Sequence, residues 1–251
     1  MNEFFVGYIA KIPPGIARIV RRSVVVIFSI VILGAIVLVF SQRRFPAAFF
    51  EFTQERNFEG VIQEHPYPTL LVPRPGDSGA QVGYSRYLLV GLGKHGAEQQ
   101  VAGLDGQRVR LRGKLIYRDA DTLVEVMPNS VSSTGKGTLP EPPIDLGAVT
   151  LTGEIVDTKC YLGVMNPGEG KVHRDCATRC LSGGIPPALV VQQKDGTRQL
   201  YELGALDGRR IPIDWAATHA GHVVTVRGEL LKSGEALILK ADWEQLSLRS
   251  R

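Results

Sequence analysis

Cys160, His173, Cys176 and Cys180 stand within a stretch of 21 residues, and the three cysteines among them are the protein's full complement. Three thiolates and an imidazole form a donor set for soft or borderline ions: zinc, Cu(I) or an iron–sulfur centre. The same residues support two other chemistries. A disulfide from Cys160 to Cys176 or Cys180 closes a loop of about 16 to 20 residues, worth about 3 kcal/mol by the chain-entropy model. It leaves one thiol over, which an oxidising compartment does not favour. A Cys176–Cys180 dithiol, with His173, Arg174 and Arg179 beside it to favour a thiolate, would instead serve thiol–disulfide exchange. No Cys-x-x-Cys accompanies that idea. Metal, staple and redox pair remain three readings of one cluster.

Local spacing constrains the metal reading. Cys160 follows Asp157-Thr-Lys at the end of an expected strand, and Tyr161 to Gly170 is rich in turn residues. Lys171 to Leu181 is expected to form about three helical turns, stopped by Gly183-Gly184 and Pro186-Pro187. On that helix His173, Cys176 and Cys180 share one face at i, i+3 and i+7. Positions seven apart are separated by about 10.5 Å along the axis. His173 and Cys180 therefore reach one ion only if the helix begins after His173 or distorts. Asp157 is a candidate to orient His173 from behind the ligand shell. A plain strand-ending acid is the alternative.

The stretch Gly153-x-Ile-x-Asp157-x-x-Cys160…His173-x-x-Cys176-x-x-x-Cys180 resembles a motif in uncharacterised exported bacterial proteins with small OB-like β domains. The resemblance implies that Cys160, His173, Cys176 and Cys180 belong together. It brings no activity with it.

The elements that must position this cluster are an anchor and small β domains. Ser23 to Ser41 is a run of 19 uncharged residues dominated by Val, Ile, Leu and Phe. Such a helix just crosses a hydrocarbon core of about 30 Å. The run ends at Gln42-Arg43-Arg44 with no small-residue cleavage pattern, so a retained span is expected rather than a signal peptide. Lys11, Arg18, Arg21 and Arg22 precede it, which places the N-terminus in the cytoplasm and the rest in the periplasm or outside the cell. Residues 1–44 hold six basic side chains and one acid (Glu3); with a whole-chain charge of +4, the remaining residues carry −1. The basicity belongs to the membrane flank, and no nucleic-acid footprint is expected. The partners implied are the membrane and a membrane-associated protein.

Beyond the anchor the chain reads as mainly β. Strands are expected at Phe58–Glu64, Arg86–Leu92, Arg108–Tyr117 and Leu123–Met127, then at Val149–Val156, Ala188–Gln192, Gln199–Leu203, His222–Leu231 and Ala236–Lys240. The polar, Gly- and Pro-bearing segment Ser130–Pro143 reads as a linker. A faint repeat relates the halves: Gly106-Gln-Arg-Val-Arg-Leu-Arg-Gly113 matches Gly221-His-Val-Val-Thr-Val-Arg-Gly228, and Gly60-Val-Ile matches Gly153-Glu-Ile. Gly113 and Gly228 fall where a long strand must bend, which is the grammar of five-stranded OB-like barrels. The expected organisation is a cytoplasmic segment at 1–22, a transmembrane helix at 23–42, OB-like domains at 43–129 and 148–251, and a linker at 130–147.

Several signals point elsewhere and are weak. Gly91-Leu-Gly93-Lys-His-Gly96 matches a dinucleotide fingerprint, but too little chain follows it for the helix that motif requires, so a turn and no nucleotide cofactor are expected. Thr134-Gly-Lys-Gly-Thr138 lacks the upstream glycine of a P-loop. Without Cys-x-x-Cys-His, c-type haem is not indicated. His219 and His222 are a further candidate pair, whereas His65 and His95 stand alone, and no Gly-x-Ser-x-Gly elbow is present. No catalytic residue is assigned. The reading is a non-enzymatic accessory, assembly or metal-handling protein, with zinc or copper as the ion. The alternatives are a disulfide-stapled interaction module and a thiol–disulfide oxidoreductase.

Overall fold

The computed structural model describes residues 12–42, 48–74, 83–139, 142–245 and 247–248. Lys11, Arg43 and Arg44 of the membrane-flank argument, and Pro140 and Glu141 of the linker, lie outside them. The chain divides into two units, residues 1–46 and 47–251.

In the first unit, α1 (Pro14–Gln42) begins well before the uncharged run. Proline suits a first helical position, where its missing N–H would have no intrahelical partner. All side chains from Arg18 to Ser41 are exposed. Its 29 residues reach about 43 Å, enough to cross a membrane, a property shared with signal sequences.

The second unit holds two closed five-stranded barrels. A short β1 (Ala48–Phe50) leads into β2 (Arg56–Gln63), β3 (Thr69–Pro73), β4 (Tyr84–Val90), a single helical turn α2 (Glu98–Val101), β5 (Gln107–Arg118) and β6 (Asp121–Val126). Then β7 (Ser132–Lys136) pairs with β5, so part of the expected linker is an edge strand of the first barrel. The second barrel is built from β8 (Ile144–Asp157), α3 (Arg174–Ser182), β9 (Pro187–Gln192), β10 (Arg198–Ala205), α4 (Ile213–His219), β11 (Val223–Ser233) and β12 (Ala236–Ala241), with β13 (Ser247–Leu248) on β11.

The pairing is the same in both barrels. β2–β3–β4 is antiparallel, β4 pairs in parallel with β6, and β6 returns antiparallel to β5, which closes on β2. β8–β9–β10, β12 and β11 repeat that order. The repeated glycines explain how one strand serves two neighbours. Gly113 pairs with both Arg56 of β2 and Val126 of β6, and Gly228 pairs with both Val149 of β8 and Ala241 of β12. A Cβ at Gly228 would stand 2.1 Å from the Lys240 carbonyl oxygen, and one at Gly113 2.3 Å from Val124 Cγ1. The bend works because no side chain is there. Alternation does the rest: Val109 and Leu111 point inward between exposed Arg108, Arg110 and Arg112, and Val224 and Val226 do the same in β11.

Each barrel has its own apolar core, and a third core lies between them. Tyr67, Leu88, Val90, Ile116 and Leu123 of the first barrel pack with Val156, Cys160, Tyr161, Leu162, Cys180 and Ile185 of the second. Polar bonds cross the same boundary. The Tyr67 hydroxyl accepts the Ile211 N–H at 3.0 Å, Tyr84 and Ser233 hydroxyls meet at 3.0 Å, and Arg86 forms a buried ion pair with Glu202. Tyr67 thus belongs to the shared core and Tyr84 to the boundary between the barrels.

Arg86, Asp121 and Glu202 line a cavity of about 140 Å³ at this boundary. Burial, then the negative charges of Glu202 and Asp119, push the Asp121 carboxyl from its ordinary 3.8 up to about 7. Because the folded value exceeds the unfolded one, this group's contribution is complete below about 3.8 and is lost as pH rises to about 7. Asp121→Asn is expected to remove that slope. Thermal melts at pH 5 and pH 8 should show the wild type losing on the order of 2 kcal/mol more than the variant, after allowance for partial solvent screening.

Candidate functional site

The cysteine segment is an elaboration of one barrel loop. Residues 64–68 join β2 to β3 in the first barrel, whereas residues 158–186 make the equivalent β8–β9 connection in the second. The neck of this long loop is closed by the Thr158 N–H and hydroxyl, which both donate to the Pro186 carbonyl at 3.1 and 3.0 Å. Asp157 ends β8, and its Oδ1 accepts the Cys160 N–H at 2.8 Å, turning the chain off the sheet. Cys160–Val164 then forms a π-helical turn, with the Met165 N–H on the Cys160 carbonyl.

α3 begins at Arg174, immediately after His173, and stops at Gly183. Cys176 and Cys180 are therefore one turn apart on its inner face, with Cys180 buried and Cys176 half-buried. The sulfurs of Cys160, Cys176 and Cys180 all lie within 4.8 Å of one another. Cys160 and Cys180 are 3.8 Å apart. Two sulfurs bound to one tetrahedral ion at about 2.3 Å are separated by about 3.8 Å. A disulfide needs about 2.05 Å, and all three thiols are free.

His173 does not join the three-sulfur set. It groups with Asp157 and Cys160, and its Nε2 lies 3.1 Å from Asp157 Oδ2, with both residues buried. Starting the helix after His173 removes the axial spacing problem, yet the imidazole turns to the carboxylate rather than to Cys176 and Cys180. Asp157 thus holds two parts of the loop at once, the backbone of Cys160 and the ring of His173.

Two lysines complete the site, and neither was a candidate from sequence. The Gly91–Gly96 segment after β4 is a tight turn, with the Gly91 N–H on the His95 carbonyl at 2.8 Å and α2 following as one turn of helix. From this turn Lys94 Nζ reaches 2.9 Å from Cys176 Sγ and 3.4 Å from Cys180 Sγ. Lys94 is exposed, so it covers the sulfurs from the solvent side. Lys159, 3 % exposed, holds the turn in place. Its ammonium donates to the carbonyls of Gly91 at 2.9 Å and Gly93 at 2.6 Å and pairs with Glu125 at 2.5 Å. The Gly96 N–H also donates to the Gly183 carbonyl at 3.0 Å. One barrel supplies the sulfurs and the other supplies the cation. A spacing rule along the chain has no access to Lys94, because the contact spans more than eighty residues.

Electrostatics divides the thiols. The Cys180 thiol is drawn down to about 7, first by the hydrogen bond from Cys160 and then by the Lys94 charge, against burial and Asp157. Cys160 is pushed up by that same hydrogen bond, by burial and by Asp157. Lys94 is held protonated by its bond to Cys176 and the charge of Cys180. The Lys94 cation thus favours thiolate at Cys180, the form that binds metal and attacks disulfides.

His219 and His222 are brought near no acidic or sulfur donor set among the described residues. His219 stacks on Trp215, and its Nδ1 lies 2.8 Å from the Trp215 carbonyl, while His222 Nδ1 is buried without a partner. Trp215 and Trp243 pack on the second barrel's core.

No protein-family model matches the chain, and no curated protein matches it.

Proposed function

We propose that this is a membrane-tethered metal-handling protein whose second barrel binds one soft ion through Cys160, Cys176 and Cys180. The observation that carries the reading is the convergence of all three sulfurs within 4.8 Å, two of them at the separation one shared ion imposes. A donor set of three thiolates with no fourth donor in the group suits three-coordinate Cu(I) before zinc, which prefers four. Three thiolates on a singly charged ion leave a charge of −2, and Lys94 offsets part of it. His173 and Asp157 act behind Cys160, fixing the loop that carries it.

In this reading α1 crosses the cytoplasmic membrane with its N-terminus in the cytoplasm, and the barrels face the periplasm or exterior. The exposed apolar helix and the basic residues before it support that orientation. The function is then accessory: the protein holds a metal ion beside a membrane-associated partner, for assembly or transfer. Partial exposure of Cys176 supports exchange, since that sulfur can be reached while Cys160 and Cys180 stay covered.

A second reading rests on the 3.8 Å between Cys160 and Cys180: a modest closure gives a disulfide staple and a spare Cys176. Elemental analysis of the full chain, purified in detergent without oxygen and paired with a thiol count, separates the two. The metal reading expects close to one copper or zinc per chain and its loss in Cys176→Ser. No metal, one free thiol and an unchanged Cys176→Ser variant would establish the staple instead.

A further inference from the structure

Three cysteines cannot all pair with one another, but the odd one has a different neighbour. Lys94 Nζ is 2.9 Å from Cys176 Sγ, while Cys160 and Cys180 face each other at 3.8 Å. Three thiols and one amine thus form two adjacent pairs, and only the Lys94–Cys176 pair has a side open to solvent. We propose that in the metal-free protein Lys94 and Cys176 are joined by dioxygen into a covalent N–O–S bridge, a redox-controlled crosslink between the two barrels. This goes beyond the metal reading, because it describes what the site becomes when no ion is bound, and it holds whichever ion is the partner.

The balance closes on groups already present. The Cys176 sulfur and the Lys94 nitrogen, in contact at 2.9 Å, carry three hydrogens between them. With one dioxygen they give S–O–N(H), which retains one hydrogen and one oxygen, and one water, which takes the other two hydrogens and the other oxygen. Sulfur and nitrogen each lose two electrons, and dioxygen gains four. The S–O and N–O bonds form as the O–O bond and the bonds to two of those three hydrogens break. Holding the reacting atoms in contact replaces an encounter in solution with an intramolecular step. The bridge inserts an oxygen between nitrogen and sulfur, so the two stay near their present separation. A direct S–N bond would need the two atoms well inside their present 2.9 Å separation.

Residue geometry also explains why the bridge would matter. The Lys94 turn and α3 already touch backbone to backbone at Gly96 and Gly183. A covalent bond there removes the lysine from solvent, blocks Cys176 as a ligand, and closes the site to metal until it is reduced.

The test uses the full chain in detergent, stripped of metal by a chelator, and divided between air and an oxygen-free chamber. After proteolysis, mass spectrometry of the aired sample is expected to show the Lys94 and Cys176 peptides linked, heavier by one oxygen and lighter by two hydrogens. Dithiothreitol should release them, and the oxygen-free sample should lack them. Lys94→Arg, which keeps the charge but offers no amine, and Cys176→Ser should each abolish the link. An unmodified Lys94 in aired protein, Cys176 found in a disulfide or as a sulfonic acid, or a direct S–N linkage would each overturn the proposal. Metal content is read separately, before stripping, so failure of the bridge and failure of the metal site give different results.

Discussion

Replacing Lys159 with methionine is expected to cost about 3–5 kcal/mol of stability, far more than a surface lysine would. The ammonium is buried, and its removal leaves Glu125, itself 4 % exposed, without a cation in the space between the barrels. The carbonyls of Gly91 and Gly93 lose their donor in the same change. The double variant Lys159→Met/Glu125→Leu separates these effects. Removing both charges should recover much of the loss, because an apolar pair of similar volume often matches a buried ion pair. What remains measures chiefly the stranded carbonyl of buried Gly91, costing about 1–3 kcal/mol. Chemical denaturation of the wild type, Lys159→Met, Glu125→Leu and the double variant reads the cycle. Equal losses in the single and double variants would show that the ion pair is not what Lys159 is for.

Gly183→Ala should be nearly as damaging, through shape rather than charge. Its φ of −82° is open to any residue, so backbone strain is not the cause. A Cβ there would lie 1.7 Å from the Lys94 carbonyl oxygen and 2.9 Å from its carbon, and a backbone atom has no rotamer to escape into. The Lys94 turn must lift off α3, which carries the ammonium away from Cys176 and Cys180. A loss of about 3 kcal/mol or more is expected, at the upper end of overpacking costs. Thiol reactivity supplies the second readout: Cys176 should react with a thiol reagent at a visibly different rate once its cation is displaced. Gly103→Ala is the contrast. It has φ of +78° and nothing within 4 Å, so only a backbone cost of about 1 kcal/mol and unchanged thiol reactivity are expected.

Much of the scaffold was legible in the sequence because alternation and glycine are strong signals. Every strand expected from period-two patterning is present, within a few residues of its expected ends, and the Gly113/Gly228 repeat marks the same bend in both barrels. The strands that escaped notice lack that signal. β3 is short and hemmed by Pro66, Pro68 and Pro73, and β7 is Ser-Ser-Thr-Gly-Lys, exposed on both faces, so no apolar side distinguishes it from a linker.

The site was legible only along the chain. Cys160, Cys176 and Cys180 converge as their spacing suggested, and Asp157 meets His173. His173 stands apart from the three-sulfur set: α3 starts at Arg174, and the ring meets the buried Asp157 carboxylate beside Cys160. What spacing missed was Lys94. Gly91-Leu-Gly93-Lys-His-Gly96 reads as a turn in any sequence window, and it is one. Its lysine matters because the barrels pack through a shared core that brings this turn to the end of α3. Lys159 was passed over for the opposite reason: it stands beside Cys160, where a lysine is easily read as surface charge.

The central claim is that the three sulfurs bind one ion, and the most direct measurement is X-ray absorption at the metal edge of the full chain purified without oxygen. The account predicts a first shell of three sulfurs at about 2.3 Å, falling to two in Cys176→Ser. A shell dominated by nitrogen or oxygen, or one unchanged by Cys176→Ser, would contradict it.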